Sequence, residues 1–136
     1  MFKTILFPVD MSPEAQQAAS VTAELVQLHQ SKLIIVSVVE QATPEQPIAH
    51  PEQTSTQAVA ALLGQVKALF AAKGIACETI EREGQPAFVI CDVADEINAD
   101  LIVMGCRGIG LIEDAKAESV TNRVINLSPC PILVVP

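Results

Sequence analysis

Tryptophan and tyrosine are absent from the 136 residues, and four phenylalanines hold the aromatic content at 3%. Proteins that grip single-stranded nucleic acid stack its bases on aromatic side chains, and this chain has almost none to offer. Basic residues are also scarce. Lys plus Arg number 8 against 16 Asp plus Glu, a formal net charge of −8, with an isoelectric point near 4.6. A domain this acidic is repelled by a phosphate backbone and by an anionic membrane surface, so neither nucleic acid nor a membrane is expected as a partner. No apolar run approaches the roughly 18–20 residues that span a bilayer. The opening run meets an acid at Asp10, too early for a secretory signal, so the expected compartment is the cytoplasm. An acidic protein of this kind binds a nucleotide only through a local device that overcomes the global charge.

Cysteine and histidine are few and scattered. Cys77, Cys91, Cys106 and Cys130 form no C-x-x-C pair, and His29 and His50 lie apart from them. A structural zinc site needs clustered thiolates and imidazoles, so free thiols and no metal centre are expected. Nor is a Ser-His-Asp or Cys-His set visible. The expectation is a binding protein rather than an enzyme, with slow ATP hydrolysis the one catalytic step left open, Asp10 ordering a water or Mg²⁺.

What the chain has in plenty is aliphatic residues. Half of it is apolar and mean hydropathy is +0.40, enough for one domain with a substantial core. Five short runs stand out: Thr4–Val9, Lys32–Val39, Ile75–Glu81, Asp100–Gly105 and Pro131–Val135. All but the third are near-continuous Ile, Leu and Val, which suits strands buried on both faces of a parallel sheet. The third alternates and suits an edge.

Helical patterns fill the intervals. Ser12-Pro13 is a cap and first-turn pair, followed by an apolar stripe that ends at His29. A second helix is expected from about Gln53 to Lys73, closed by Gly74, with Val59, Leu62, Leu63, Val66, Leu69 and Phe70 inward. A third starts near Pro86 and leaves Asp92, Asp95 and Glu96 on a solvated face. A fourth begins near Ser119. The order βαβαβαβαβ predicts an α/β fold, an open five-stranded parallel sheet with helices on both faces. The connection Gln41–Pro51, with three prolines, reads as a stiff linker or as a flap over a site.

In such a sheet ligands bind outside the carboxyl ends of the strands, where the winding reverses. After the first strand comes Pro8-Val9-Asp10-Met11-Ser12, and after the fourth Met104-Gly105-Cys106-Arg107-Gly108-Ile109-Gly110. The glycines of the second segment let backbone N–H groups approach a ligand closely. Arg107 supplies a guanidinium suited to phosphate, and the helix start at Ser119 favours an anion. This is the local device that the net charge requires. It is neither a P-loop nor the dinucleotide fingerprint, whose spacings differ. A receiver domain is excluded too, because the first strand ends in the single acid Asp10 and no Lys follows the last.

The segments Ile5–Ser12, Ala99–Gly108 and Ser128–Val135 together resemble the universal stress protein family over essentially the whole length. The resemblance implies homodimers and, in one branch, ATP held by G-x2-G-x9-G-(S/T). Gly105 and Gly108 match the first two glycines and Ser119 the hydroxyl residue. Glu118 stands where the third glycine belongs. The nucleotide-binding set so implied is Pro8, Val9, Asp10, Val38, Met104, Gly105, Arg107, Gly108, Glu118, Ser119, Val120 and Thr121. Asp10 and the Val9 backbone would meet adenine, Val38 would line its pocket, and Arg107, Ser119, Val120 and Thr121 would face ribose or phosphates. Mg²⁺ would come with the nucleotide.

Glu118, with Glu113 and Asp114, puts negative charge in the phosphate loop, only partly offset by Lys116. Two readings stand. In one, the chain is a stress-response sensor or regulator carrying ATP, ADP or AMP, with the triphosphate held less well than usual. In the other, Glu118 blocks the loop and a nucleotide-free homodimer acts through protein partners. Cys106 beside Arg107 is either a redox-sensing thiol or a plain loop residue. The last strand, Ile132, Leu133, Val134 and Val135, bracketed by prolines, is expected to lie outermost and to pair antiparallel with a second copy.

Overall fold

The computed structural model describes residues 1–11, 15–41, 51–105 and 120–136. The Ser12-Pro13 pair, most of the proline-rich connection with His50, and the stretch from Cys106 to Ser119 lie outside them. Among the described residues five strands and four helices alternate: β1 Thr4–Pro8, α1 Ala15–His29, β2 Lys32–Glu40, α2 Thr56–Ala72, β3 Cys77–Gly84, α3 Pro86–Glu96, β4 Leu101–Gly105, α4 Val120–Leu127 and β5 Ile132–Val135. The strands form one sheet in the order β3-β2-β1-β4-β5, every pairing parallel. The predicted α/β architecture is the observed one.

The continuous aliphatic runs follow from burial on both faces. Successive strand residues point to opposite sides. Ile5, Phe7, Leu33, Ile35, Leu101 and Val103 pack under α1 and α2 with Ala18, Val26, Val59, Leu63 and Phe70. Leu6, Ile34, Val36, Val38, Ile102 and Met104 pack on the other side with Ile90, Val93, Ala94 and Val124. A strand between two helical layers therefore has no polar position to spare. β3 and β5 each have one neighbour. β3 is accordingly polar, with Cys77 its one buried residue.

Several boundaries differ from expectation, β3 for one running on to Gly84, and two of the differences have identifiable reasons. The second helix starts at Thr56 rather than near Gln53, because Ser55 adopts an extended conformation and its hydroxyl accepts from the Ala58 N–H at 3.2 Å. That is an N-cap, and it severs Pro51–Thr54 as a separate 3₁₀ turn. The third strand starts at Cys77, two residues late, because Gly74 (φ 78°) turns the chain out of α2. Ile75 is then buried before the strand begins. His29 ends α1 as expected, its ring edge-on to Phe2 at 5.3 Å between centroids.

Candidate functional site

β1, β2 and β3 are laid down toward one side. The chain then crosses back through α3 to place β4 on the other side of β1. The winding thus reverses between β1 and β4, where an open α/β sheet offers a crevice at its carboxyl edge. Counted on from Leu6↔Ile102 and Pro8↔Val36, Val9 falls level with Gly105 and Asp10 level with Val38 at the carboxyl ends of the strands. Four of the residues singled out from the sequence are thereby brought into adjacent rows.

Their individual settings differ. Val9 is buried on the α1 and α2 side of the sheet. Its N–H donates to the Val36 carbonyl at 2.9 Å, and its carbonyl accepts from the Ser37 hydroxyl at 2.9 Å. The Val9 amide proton is therefore spent within the sheet. Val38 and Met104 are buried on the opposite side. Pro8, Asp10 and Gly105 are half-buried at the mouth. Thr121 lies in the first turn of α4, and its hydroxyl donates to the Gly105 carbonyl at 3.1 Å. This bond ties the end of β4 to the start of α4, so the glycine-rich stretch leaves and rejoins the described chain at one place. Val120, half-buried, packs toward the α3 and α4 layer. Arg107, Gly108, Glu118 and Ser119 lie outside the described residues, as do Cys106, Glu113 and Asp114.

A residue that the sequence reading passed over also stands at this edge. Gln53, 3% exposed, reaches from the 3₁₀ turn to the end of β2. Its Nε2 donates to the Val38 carbonyl at 2.6 Å and to the Ser37 hydroxyl at 3.1 Å. Its Oε1 is buried without a hydrogen-bond partner among the described residues. An orphaned acceptor of this kind costs about 1–3 kcal/mol, and native structures hold few of them. No sequence signal marks it, since a glutamine ahead of a helix reads as solvent-facing.

Asp100 belongs to a segment that carries the family resemblance, yet it serves the other end of the sheet. Its carboxylate accepts from the Thr4 N–H at 2.9 Å and its own N–H donates to the Thr4 carbonyl at 2.8 Å, a clasp between β1 and β4. The thiols of Cys77, Cys91 and Cys130 are free, and burial pushes all three above the usual thiol range. They remain protonated at neutral pH and serve as packing groups. Among the described residues no three His, Cys, Asp or Glu side chains cluster as a metal site requires, and no helix is long and apolar enough to cross a membrane.

Comparison with known proteins agrees with this geometry. The sequence matches the universal stress protein family across residues 1–136. It is 62% identical to the universal stress protein Sll1654 of Synechocystis over 136 residues, all of this chain and 87% of that protein. Among solved structures it is similar to the universal stress protein UspA of Lactobacillus plantarum, at 28% identity and a TM-score of 0.79, covering 99% of this chain and 98% of that one. The fold is shared more distantly, at 20% identity and a TM-score of 0.73, with a universal stress protein of Archaeoglobus fulgidus solved in complex with dAMP, covering 99% and 98% of the two chains. With a whole-chain family match, a relative this close and a sheet in the order β3-β2-β1-β4-β5, the chain belongs to the universal stress protein family.

Proposed function

We propose that this chain is a cytoplasmic stress-response protein that binds an adenine nucleotide (ATP, ADP or AMP) as a sensor or regulator and does not act as an enzyme. The observation that carries the reading is the meeting of Asp10, Val38 and Gly105 at the reversal of the sheet, where the glycine-rich stretch begins. The base lies toward Asp10 and the end of β2. The phosphates lie toward Gly105, Arg107, Gly108 and the start of α4 at Ser119, Val120 and Thr121. Two further supports come from the molecule and its relatives. Gln53 leaves a buried acceptor unpaired at this edge, which a polar ligand would satisfy. The same fold accommodates an adenylate in the dAMP complex from Archaeoglobus fulgidus. Where a triphosphate binds, Mg²⁺ would accompany it at the phosphates.

Calorimetry with AMP, ADP and ATP tests the reading directly. Binding of all three is expected, with ATP favoured over AMP by less than its extra phosphates would otherwise bring. The absence of heat for each of them at millimolar concentration would refute nucleotide binding. It would leave the second reading, favoured by the acids Glu113, Asp114 and Glu118, in which a nucleotide-free dimer works through protein partners.

The chain is further proposed to form a homodimer by antiparallel pairing of β5 with its copy. Among the described residues β5 has β4 alone as neighbour, and an unpaired edge is a template for another strand. Leu133 on this edge is 37% exposed, and α4, which precedes it, exposes Ile125 and Leu127 by about half (50% and 48%). Sedimentation at micromolar concentration should give twice the chain mass, and Leu133→Asp should give the monomer. A monomeric parent protein would contradict the assignment.

A further inference from the structure

Gln53 carries a buried acceptor that no described residue pairs. The orientation of its amide is dictated by its neighbours. Turned over, Oε1 would meet the Val38 carbonyl oxygen at the 2.6 Å now spanned by Nε2, an acceptor against an acceptor. The donor must therefore face Val38, and Oε1 must be the orphan. The two ends of a carboxamide are a little over 2 Å apart, which keeps Oε1 within about 5 Å of the Val38 oxygen. It therefore sits at the carboxyl end of β2. The Ser37 hydroxyl joins the same group to the Val9 carbonyl, so the polar chain Gln53–Ser37–Val9 bridges the ends of β2 and β1. The Nε2 end of the side chain serves the fold, by satisfying the Val38 carbonyl and the Ser37 hydroxyl, whereas the Oε1 end serves no described neighbour. An acceptor left unpaired by the described residues at the carboxyl end of β2, where the nucleotide reading sets the base, is placed to receive a donor from outside the chain.

We propose that Gln53 selects the base, its Oε1 accepting a hydrogen bond from the exocyclic 6-amino group of adenine. The assignment rests on the nucleotide reading above and adds to it a determinant of specificity. A 6-oxo purine presents an oxygen where adenine presents N–H, so two acceptors face each other and both go unpaired. A purine with hydrogen at position 6 leaves Oε1 as it is in the free protein. Discrimination by a site that expects a donor is strong because the mismatched ligand leaves a buried polar group unsatisfied.

The test is calorimetry with three purine diphosphates: ADP, purine riboside diphosphate, which differs from it at position 6 alone, and inosine diphosphate, which is 6-oxo and also protonated at N1. The parent protein should bind ADP about tenfold more tightly than the 6-hydrogen compound, equivalent to about 1.4 kcal/mol, and the 6-oxo compound more weakly still. Gln53→Met, confirmed as folded by its melting curve, should bind ADP and purine riboside diphosphate equally. Equal affinities for those two in the parent protein would overturn the assignment without recourse to any variant. A folded Gln53→Met that keeps the tenfold preference would overturn it as well. Failure of all three diphosphates to bind the parent protein is a different result, which overturns the nucleotide reading and this assignment together.

Discussion

Replacing Glu118 by glycine is expected to tighten ATP binding by between about fivefold and a thousandfold. The range follows from Coulomb's law. A carboxylate about 4 Å from one phosphate charge costs roughly 1 kcal/mol in bulk water and roughly 4 at the effective dielectric of about 20 typical near a protein surface. Each 1.4 kcal/mol is about tenfold in affinity. The resemblance to the family's phosphate motif assigns a glycine to this position, one residue before Ser119. The expected gain grows with phosphate charge, so ATP should improve more than ADP and ADP more than AMP.

Glu118→Gln separates the two physical causes. It removes the charge and keeps the Cβ. If charge is the obstacle, glutamine recovers most of the gain, and the gain shrinks as salt shortens the Debye length to about 3 Å at 1 M. If the backbone requires a positive φ that a Cβ resists, glycine alone recovers it. Calorimetry of the parent and both variants at low and high salt reads all of this. No improvement for ATP in either variant would show that Glu118 does not face the phosphates.

Phe70→Ala should remove about 3–5 kcal/mol of stability, the usual cost of emptying a buried phenylalanine site. Phe70 is 0% exposed in the last turns of α2. Its ring meets that of Phe7 on β1 edge-to-face, with centroids 6.0 Å apart and planes at 85°, an arrangement favoured by the ring quadrupoles. Because Phe7 is a strand residue between two helical layers, the contact pins α2 to the middle of the sheet. Against a total of about 5–15 kcal/mol for a natural domain, the loss is about a fifth of the whole at the least. Urea denaturation followed by far-ultraviolet circular dichroism measures it, and an unchanged m-value would show that the folded state stays compact. Phe70→Leu should cost much less than Phe70→Ala, because it keeps most of the volume. A loss below about 1 kcal/mol for Phe70→Ala would mean that the neighbouring side chains collapse into the space.

Much of this architecture was legible from patterning. Strands such as Leu33–Val36 are apolar at every position because helices cover both faces of the sheet, and that burial leaves a direct trace in the sequence. The polar alternation of Ile75–Glu81 anticipated the exposed edge that β3 occupies. The opening Pro8-Val9-Asp10 and the strand end at Gly105 were locatable because ligand crevices follow from strand order and direction. Boundaries were less legible. Ser55 caps α2 from inside a stretch whose helical spacing runs straight through it, and one hydroxyl–amide bond outweighs the pattern there.

By itself, then, the sequence determined the alternation of strands and helices, the burial of the inner strands, the family, and the two strand ends from which a ligand site would be built. The tertiary structure alone decided that the Val9 amide is consumed within the sheet and that Thr121 ties the two ends of the glycine-rich stretch together. It also decided that Gln53 is buried with an acceptor to spare. The physical reason is the range of the interactions. Burial recurs with the period of a strand or helix and is written into residue order. A hydrogen bond from Gln53 to Val38 or from Thr121 to Gly105 joins residues that only the completed fold brings within 3.1 Å of each other, and it has no period to read.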